Sequence, residues 1–160
     1  MIEIIRIPEQ RKPVLIGKEG SVKKELELKT KTKITISEDI RIEGDSIDII
    51  KAKEIIKAIG RGFSPERAFF LLNDDYQLYI ISLGKETKNT IKRVLARVIG
   101  KRGSARKKIE ERTGVWVSVY GKTVSILGKA EDLNNARKAI ENLLSGRSHS
   151  YVYTRLKKSR

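Results

Sequence analysis

Two glycines that frame two basic side chains form the feature of this sequence most able to do chemistry, Gly100-Lys101-Arg102-Gly103. Glycine has no Cβ atom, so a turn built from it can lie directly against a sugar-phosphate chain, and the amides that open the next helix can face the phosphates. Lys101 and Arg102 add positive charge at the same place. The pattern therefore predicts a surface that binds a polyanion, with nucleic acid as the first candidate.

The same motif occurs earlier in the chain as Gly17-Lys18-Glu19-Gly20. The flanking residues keep a constant register with those of the second motif, which indicates two similar units. Glu19 is the exception, because it stands where the second motif has Arg102 and would repel phosphate. We therefore expect the main nucleic-acid contact in the second unit and an auxiliary or scaffold role for the first. The matching flanking positions are Ile16 and Ile99, Ser21 and Ser104, Lys24 and Lys107, Glu27 and Glu110, and Thr30 and Thr113.

The spacing of apolar residues predicts the same element order in both units. In the second unit, residues 77–82 alternate as a strand, residues 91–99 repeat at helical spacing, and a second helix follows Gly103. Two short strands around a turn and a helix that ends at Gly146 complete the unit. The order is strand, helix, helix, strand, strand, helix. We predict an α+β fold, with a first domain over 1–62, a helical linker over 63–76, a second domain over 77–146 and a basic tail over 147–160.

The charge is concentrated around the second motif and the tail. The chain has 35 Lys and Arg against 20 Asp and Glu, a net charge of +15. Residues 85–112 carry 11 basic and 3 acidic side chains, and residues 147–160 carry 5 basic and none acidic. Such clustering favours a polyanion partner. No long apolar run predicts a membrane span and no signal peptide is evident, so we expect a cytoplasmic protein.

Catalytic and metal-binding motifs are weak. With no Cys and one His, disulfides, zinc clusters and thiol chemistry are excluded. Gly121-Lys122-Thr123 resembles the end of a phosphate-binding P-loop but falls in a predicted hairpin, and Asp74-Asp75 reads as a solvated turn. His149 has no suitable catalytic partner nearby in the sequence. We therefore expect no catalytic residue, no metal and no cofactor.

The element order, with a Gly-x-x-Gly turn between the first two helices, resembles a type I KH domain. That resemblance implies that about four unpaired nucleotides cross the turn, with their bases toward the groove between helices and sheet. Both units depart from the KH pattern at the third residue after the second glycine, where Arg106 and Lys23 replace an aliphatic side chain. The predicted main site comprises Arg97, Gly100, Lys101, Arg102, Gly103, Ser104, Arg106, Lys107 and Val117, and the predicted secondary site comprises Gly17, Lys18, Gly20, Lys23 and Lys24.

Over nearly its whole length the chain is similar to a narrower family, the two-KH ribosome-biogenesis factors known as partner of Nob. The residues that carry this resemblance are 58–68, 97–103 and 125–128. It implies binding near the 3′ end of small-subunit ribosomal RNA and partnership with the Nob-type endonuclease. It also suggests contact with the alpha subunit of the archaeal initiator-tRNA-delivering factor. The long N-terminal extension of eukaryotic members is missing, which favours an archaeal source.

Three classes of function stay open at this point. The first is a monomeric, non-enzymatic RNA-binding assembly factor, which we favour. The second is an accessory subunit of an RNA-degrading exosome, and the third is an RNA-processing enzyme. For the tail we expect residues 151–156 to dock on the chain or on a partner, while Lys157, Lys158 and Arg160 contact phosphate.

Overall fold

Short strands and amphipathic helices form the first unit, because its isoleucines alternate in the strands and recur at helical spacing in its longest helix. The structure, a computed structural model, describes residues 1–156. Short 3-10 turns cover Glu9–Arg11, Lys18–Gly20 and Phe69–Leu72. The elements are β1 (Ile2–Ile5), α1 (Lys12–Ile16), α2 (Ser21–Thr30), β2 (Lys33–Ile36), β3 (Ile40–Glu43), α3 (Ser46–Gly60) and α4 (Pro65–Ala68).

The second unit repeats this series with a longer first helix and longer strands. A 3-10 turn over Lys101–Gly103 joins its first two helices. The predicted order of strand, helix, helix, strand, strand, helix is therefore confirmed in both units. The elements are β4 (Tyr76–Ser82), α5 (Lys88–Ile99), α6 (Ser104–Thr113), β5 (Trp116–Tyr120), β6 (Thr123–Lys129), α7 (Ala130–Leu144) and α8 (His149–Arg155).

Each unit contains one antiparallel sheet of three strands, in the order β1-β3-β2 and β4-β6-β5. The registers correspond, because Ile34 lies opposite Ile42 in the first sheet and Val117 opposite Ile126 in the second. Among the described residues, β2 and β5 pair on one side only, so each presents an open edge. This architecture confirms the predicted α+β class.

The helices of the second unit pack on one face of its sheet and enclose a core of aliphatic side chains. Val98, Ile109, Ile126 and Ile140 are fully buried there, one from each of α5, α6, β6 and α7. Burying aliphatic side chains of this size contributes about 1.5–3 kcal/mol each. The core therefore fixes the relative positions of α5 and α6, and with them the turn that joins these helices.

A short fourth helix ends each unit, and the sequence-based boundaries did not include it. Gly62 and Gly146 both have φ of 100°, and two residues later Ser64 and Ser148 both have φ of −66° and ψ of 155°. Each serine caps its helix, because the hydroxyl oxygen accepts a hydrogen bond from the backbone N–H three residues on, at 3.3 and 3.0 Å. The segments predicted as a linker and a tail are thus the same element, present once in each copy of the repeat.

The fourth helix packs on its own unit in both cases. Ala68 and Leu71 are buried in the first unit, and Val152 and Leu156 are buried in the second. The chain accordingly folds as Met1–Asp74 and a second unit from Asp75 onward. The predicted linker over 63–76 is therefore largely part of the first unit, because its apolar residues find a surface there. Residues 147–156 of the predicted tail likewise join the second unit, whereas Lys157, Lys158 and Arg160 lie outside the described residues.

Candidate nucleic-acid interface

The turn between α5 and α6 contains three residues with positive φ. The φ angles are 73° at Gly100, 56° at Arg102 and 75° at Gly103. Its amides are used within the turn, because the Gly103 N–H donates to the Gly100 carbonyl at 3.2 Å and the Ser104 N–H donates to the Lys101 carbonyl. These two amides are therefore not directed at a ligand, which differs from the expectation drawn from the sequence. The basic side chains are the groups that the turn offers to phosphate.

The two glycines of the turn have different roles. A Cβ atom on Gly100 would lie 2.7 Å from both the Cβ and the backbone nitrogen of Ala105, so this glycine is required for the turn to pack on α6. A Cβ atom on Gly103 would have only the side chains of Arg106 and Lys107 nearby, each at 3.9 Å. Gly103 is therefore the glycine that leaves room for a ligand, whereas Gly100 is needed for packing within the unit.

Exposed cations surround the open space in front of Gly103. The side chains of Lys101, Arg102 and Lys107 are exposed, as is Ser104 at the start of α6. The N-terminal end of α6 adds a partial positive charge to theirs. The structure thus brings together most of the predicted main site, and the arrangement can bind the phosphates of a strand that crosses the turn.

On the groove side of α6, Glu110 links the helix to the open edge of β5. One carboxylate oxygen accepts a hydrogen bond from the Val117 backbone N–H at 2.8 Å, and the other accepts one from the Arg106 guanidinium at 3.0 Å. The Val117 side chain is buried in the core. Neither the side chain nor the amide of Val117 is therefore available to a base, although Arg106 remains half-buried beside the groove.

Glu110 was not among the residues predicted from the sequence as part of the site. The signal that could have identified it is its match to Glu27 in the repeat. Glu27 makes the equivalent bond, accepting from the Ile34 N–H of β2 at 2.8 Å, with Lys23 3.8 Å away. Both units therefore occupy one edge amide with a carboxylate from the second helix.

Arg97, predicted to bind RNA, is directed away from the turn. Its Nε donates to the carbonyl of Leu143 at 3.1 Å, and another guanidinium nitrogen donates to the carbonyl of Arg147. These carbonyls lie at and beyond the end of α7, where backbone oxygens lack helical partners. In the first unit Arg11 does the same for Ile59 and Phe63, at 2.7 and 2.9 Å. The structure thus assigns Arg97 to the junction between α7 and α8.

The turn of the first unit has the same backbone but a different surface. Gly17, Glu19 and Gly20 have φ of 74°, 54° and 76°. The exposed side chains at its tip are Lys18 and Glu19, so their charges offset each other. The Lys24 ammonium folds back toward the turn and donates to the Glu19 carbonyl at 3.4 Å. The secondary site is therefore assembled, but with less positive charge than the main one.

The other motifs noted in the sequence lie in a hairpin turn, in an ion pair and beside a backbone carbonyl. Gly121 and Lys122 lie in the turn between β5 and β6, away from any helix start. Asp74 forms an ion pair with Lys51, and the hydrogen bond from this lysine lowers the pKa of the carboxyl. His149 Nε2 lies 2.9 Å from the Arg97 carbonyl.

Residues 1–156 contain neither a membrane-spanning helix nor a cluster of metal-ligating side chains. Within this part of the chain, no helix is both long and apolar enough to cross a membrane. The same residues contain no group of three or more His, Cys, Asp or Glu side chains that could hold a metal ion.

Comparison with known proteins identifies the family. Residues 78–160 match the second KH domain of Pno1, described as a eukaryotic-type KH domain of type I, and residues 2–58 match the KH domain. A KH domain-containing protein of Methanocaldococcus jannaschii is 44% identical over 168 residues, which cover 99% of this chain and 74% of that protein. The pre-rRNA-processing protein pno1 of Aspergillus fumigatus is 33% identical over 114 residues, covering 68% of this chain and 45% of the fungal protein.

A solved structure is similar over almost the whole chain. It is the crystal structure of a complex of a/eIF2alpha, aDim2p and rRNA from Pyrococcus horikoshii OT3, with a TM-score of 0.89 and 46% sequence identity. The match covers 98% of this chain and 92% of that chain. The sequence matches two KH domains, and the structure contains the predicted repeat. Relatives that are 44% and 46% identical match almost the whole chain. The chain therefore belongs to the Pno1/Dim2 family of two-KH-domain proteins.

Proposed function

We propose that this protein is a non-enzymatic RNA-binding factor in small ribosomal subunit assembly, which binds unpaired ribosomal RNA near the 3′ end and assists its maturation. The observation that carries the proposal is the turn of the second unit, where Gly103 leaves open space and Lys101, Arg102 and Lys107 are exposed around it. The names of two relatives, a pre-rRNA-processing protein and a Dim2p in a complex with rRNA, support the choice of RNA.

The second unit is the main RNA-binding unit in this proposal. Phosphate is attracted by Arg102, whereas the equivalent Glu19 repels it. The coulombic interaction between two unit charges 4 Å apart is about 1 kcal/mol in water and about 4 kcal/mol near a protein surface. A change of sign at this position can therefore alter affinity by a factor of ten or more. The first unit then has an auxiliary or scaffold role.

Base recognition in this groove relies on side chains more than on the strand edge. Because Glu110 already holds the Val117 amide, a base that reaches β5 meets a carboxylate and the Arg106 guanidinium. The guanidinium can donate to base edges and phosphates, and the carboxylate can accept from the amino groups of bases. The site thus binds a strand by its backbone and adds polar contacts to its bases, which fits the role of a positioning factor.

Two protein partners follow from the same family. The P. horikoshii complex contains a/eIF2alpha, so we propose that the corresponding archaeal alpha subunit binds this chain. We also propose a Nob-type endonuclease as the enzyme that acts on the bound RNA, as the resemblance to the partner-of-Nob family implies. A cytoplasmic location is part of this proposal.

The test is a comparison of single-stranded and double-stranded RNA. A fragment from the 3′ region of small-subunit RNA is titrated with the protein at several salt concentrations, first alone and then annealed to its complement. Each phosphate contact on a single strand contributes about −0.7 to the slope of log affinity against log salt, so four contacts give about −3. Equal affinity for the duplex, or a slope near zero, would contradict binding in a single-strand groove.

A further inference from the structure

The fourth helix carries different side chains in the two units although its backbone is repeated. In the first unit the segment is apolar, with Phe63, Phe69, Phe70, Leu71 and Leu72. At the equivalent positions of the second unit the side chains are Arg147, Tyr153, Thr154, Arg155 and Leu156. Of these five positions, only the one with Leu72 and Leu156 has the same residue type in both units. On the same backbone scaffold, the second unit thus carries mostly basic and hydrogen-bonding side chains where the first unit carries apolar ones.

One flank of α8 lies close to the RNA-binding turn. His149 at its start is 2.9 Å from the carbonyl of Arg97, which is three residues before Gly100. The ring of Tyr153 lies one helical turn further on, with its centroid 6.0 Å from that of His149. The ammonium of Lys108 on α6 is 4.4 Å from the Tyr153 centroid, a cation–π contact. Aromatic and basic side chains therefore continue from the turn along α8.

An open hollow of about 640 Å³ lies beside this cluster. Its lining includes Arg112 from α6 and Tyr153 and Thr154 from α8. Tyr153 is half-buried, and this burial raises the pKa of its hydroxyl, which stays protonated and can donate a hydrogen bond. The hollow can accept one flat ring against the tyrosine, with Arg112 in its lining for phosphate.

We propose that the surface formed by Lys108, Arg112, His149 and Tyr153, here called the α6–α8 face, binds the nucleotides of a single RNA strand that flank those at the Gly100–Gly103 turn. The proposal rests on the RNA-binding function proposed above. It assigns the face a class of ligand, which is unpaired RNA held by phosphate contacts to Lys108 and Arg112 and by stacking of a base on Tyr153.

The position of the face explains how one strand can reach both sites. Helical geometry places Arg106 and Glu110 on one flank of α6, and Lys108 and Arg112 on the other. A strand that leaves the groove must therefore pass the start of α6, where the turn lies, before it reaches Tyr153. From Ser104 to Arg112 the helix rises about 12 Å. The face is thus close enough to take the nucleotides next to the bound four.

RNA fits this face better than an acidic protein does. The described part of α8 contains no acidic residue, and its tyrosine rings lie beside basic side chains. Base–aromatic stacking together with a positively charged path is how proteins hold single strands without reading sequence. A protein partner that docks through apolar contacts would find little apolar surface on α8, because Val152 and the following Leu156 are buried in the second unit.

The experiment compares two RNA lengths. Affinities for a tetranucleotide and for a ten-nucleotide strand that contains it are measured for the unaltered chain and for the double variant Lys108→Glu, Arg112→Glu. We expect the double variant to bind the longer strand at least fivefold more weakly, with the salt slope reduced by about 1.4 for two lost contacts. Binding of the tetranucleotide should change less than twofold.

Two further variants separate this proposal from the proposed function. Lys29→Glu changes the residue of the first unit that matches Arg112, and it should leave both affinities unaltered. Replacing Lys101 and Arg102 by Asp should weaken both RNA lengths. The α6–α8 face is refuted if the longer strand binds the Lys108 and Arg112 double variant normally, or if both lengths lose affinity equally. The proposed function fails separately, if the unaltered chain binds neither RNA.

A second readout does not depend on the folding of a variant. A photoreactive thiouridine is placed in turn at each position of the ten-nucleotide strand, and the crosslinked residues of the unaltered chain are identified. We expect Tyr153 to crosslink to a nucleotide outside the central four. Crosslinks that stay confined to the turn and groove would overturn the proposal.

Discussion

Substitutions at the two glycines of the second-unit turn should separate an effect on stability from an effect on RNA affinity. Gly100→Ala brings a Cβ atom to 2.7 Å from two atoms of Ala105, in a backbone region with φ of 73° and ψ of 176° that is almost restricted to glycine. The conformation costs about 1–3 kcal/mol and the overlap about the same again. We therefore expect a loss of about 2–6 kcal/mol in the free energy of unfolding of the second unit.

Gly103→Asn is the matched change, because Asn adopts the left-handed conformation more readily than other residues with a side chain. Gly103 has φ of 75° and ψ of 13°, and a Cβ atom there has no neighbour closer than 3.9 Å. The free energy of unfolding should therefore fall by no more than about 1 kcal/mol relative to the unaltered chain. RNA affinity should nevertheless fall at least fivefold, because the new side chain fills the space in front of the turn.

Urea unfolding and RNA titration of both variants provide the assay. The corresponding changes at Gly17 and Gly20 serve as an internal control, since a Cβ atom on Gly17 would lie 2.8 Å from the Val22 backbone nitrogen whereas Gly20 has open space. If the Gly100 variant is as stable as the unaltered chain, the packing argument is refuted. If the Gly103 variant binds RNA normally, this glycine does not face the ligand.

Two further predictions concern the supports of the site and its counterpart in the first unit, and a third concerns an ion pair of the first unit. Arg97→Ala should lower the stability of the second unit by about 1–3 kcal/mol through the lost bonds to α7, with little change in the affinity of folded protein for RNA; Arg11→Ala should do the same in the first unit. Glu110→Ala should cost about 1–3 kcal/mol in unfolding free energy, because it leaves an edge amide without its acceptor. The hydrogen bond from Lys53 lowers the pKa of Glu3, so this pair stabilises the fold at neutral pH and the contribution is lost as the pH falls through that lowered pKa; Lys53→Met should flatten the acid limb of the pH dependence of urea unfolding.

The repeat made most of the fold predictable from the sequence. A Gly-x-x-Gly turn between two periodic apolar stretches can be read without a structure, because the glycines end one helix and the apolar spacing defines the next. The alternation of Val115, Val117 and Val119 likewise predicted a strand with one buried face. These features depend on local spacing, and local spacing is what one sequence records.

The fourth helix was not predicted as part of each unit because its signal is short. Val152 in α8 and Leu156 just after it are the buried apolar residues of this segment, and a helix of seven residues gives too little periodicity to be identified. The pairing of Gly62 with Gly146 and of Ser64 with Ser148 was a usable signal. To see this signal, the two units must be aligned with a shift of one position after the hairpin, because the hairpin of the second unit is one residue longer.

The roles of individual charged side chains depended on tertiary contacts. The sequence placed Arg97 near the turn, but a helix has several faces, and only the structure shows that its guanidinium reaches the carbonyls beyond α7. Glu110 is polar and near the groove, so composition alone did not distinguish a solvated residue from one bonded to β5. Such assignments need the position of the partner, which lies far away in the chain.

The division of labour between the two turns is the central claim, and one titration tests it most directly. Lys101 and Arg102 are both replaced by Asp in one variant, and Lys18 alone is replaced by Asp, beside Glu19, in the other. Each is titrated with a single-stranded fragment from the small-subunit RNA 3′ region, with melting curves to show that folding is unchanged. We predict at least a tenfold loss of affinity for the second-unit variant, since repulsion replaces attraction, and a much smaller loss for the first-unit variant. Equal losses for the two variants would contradict the account.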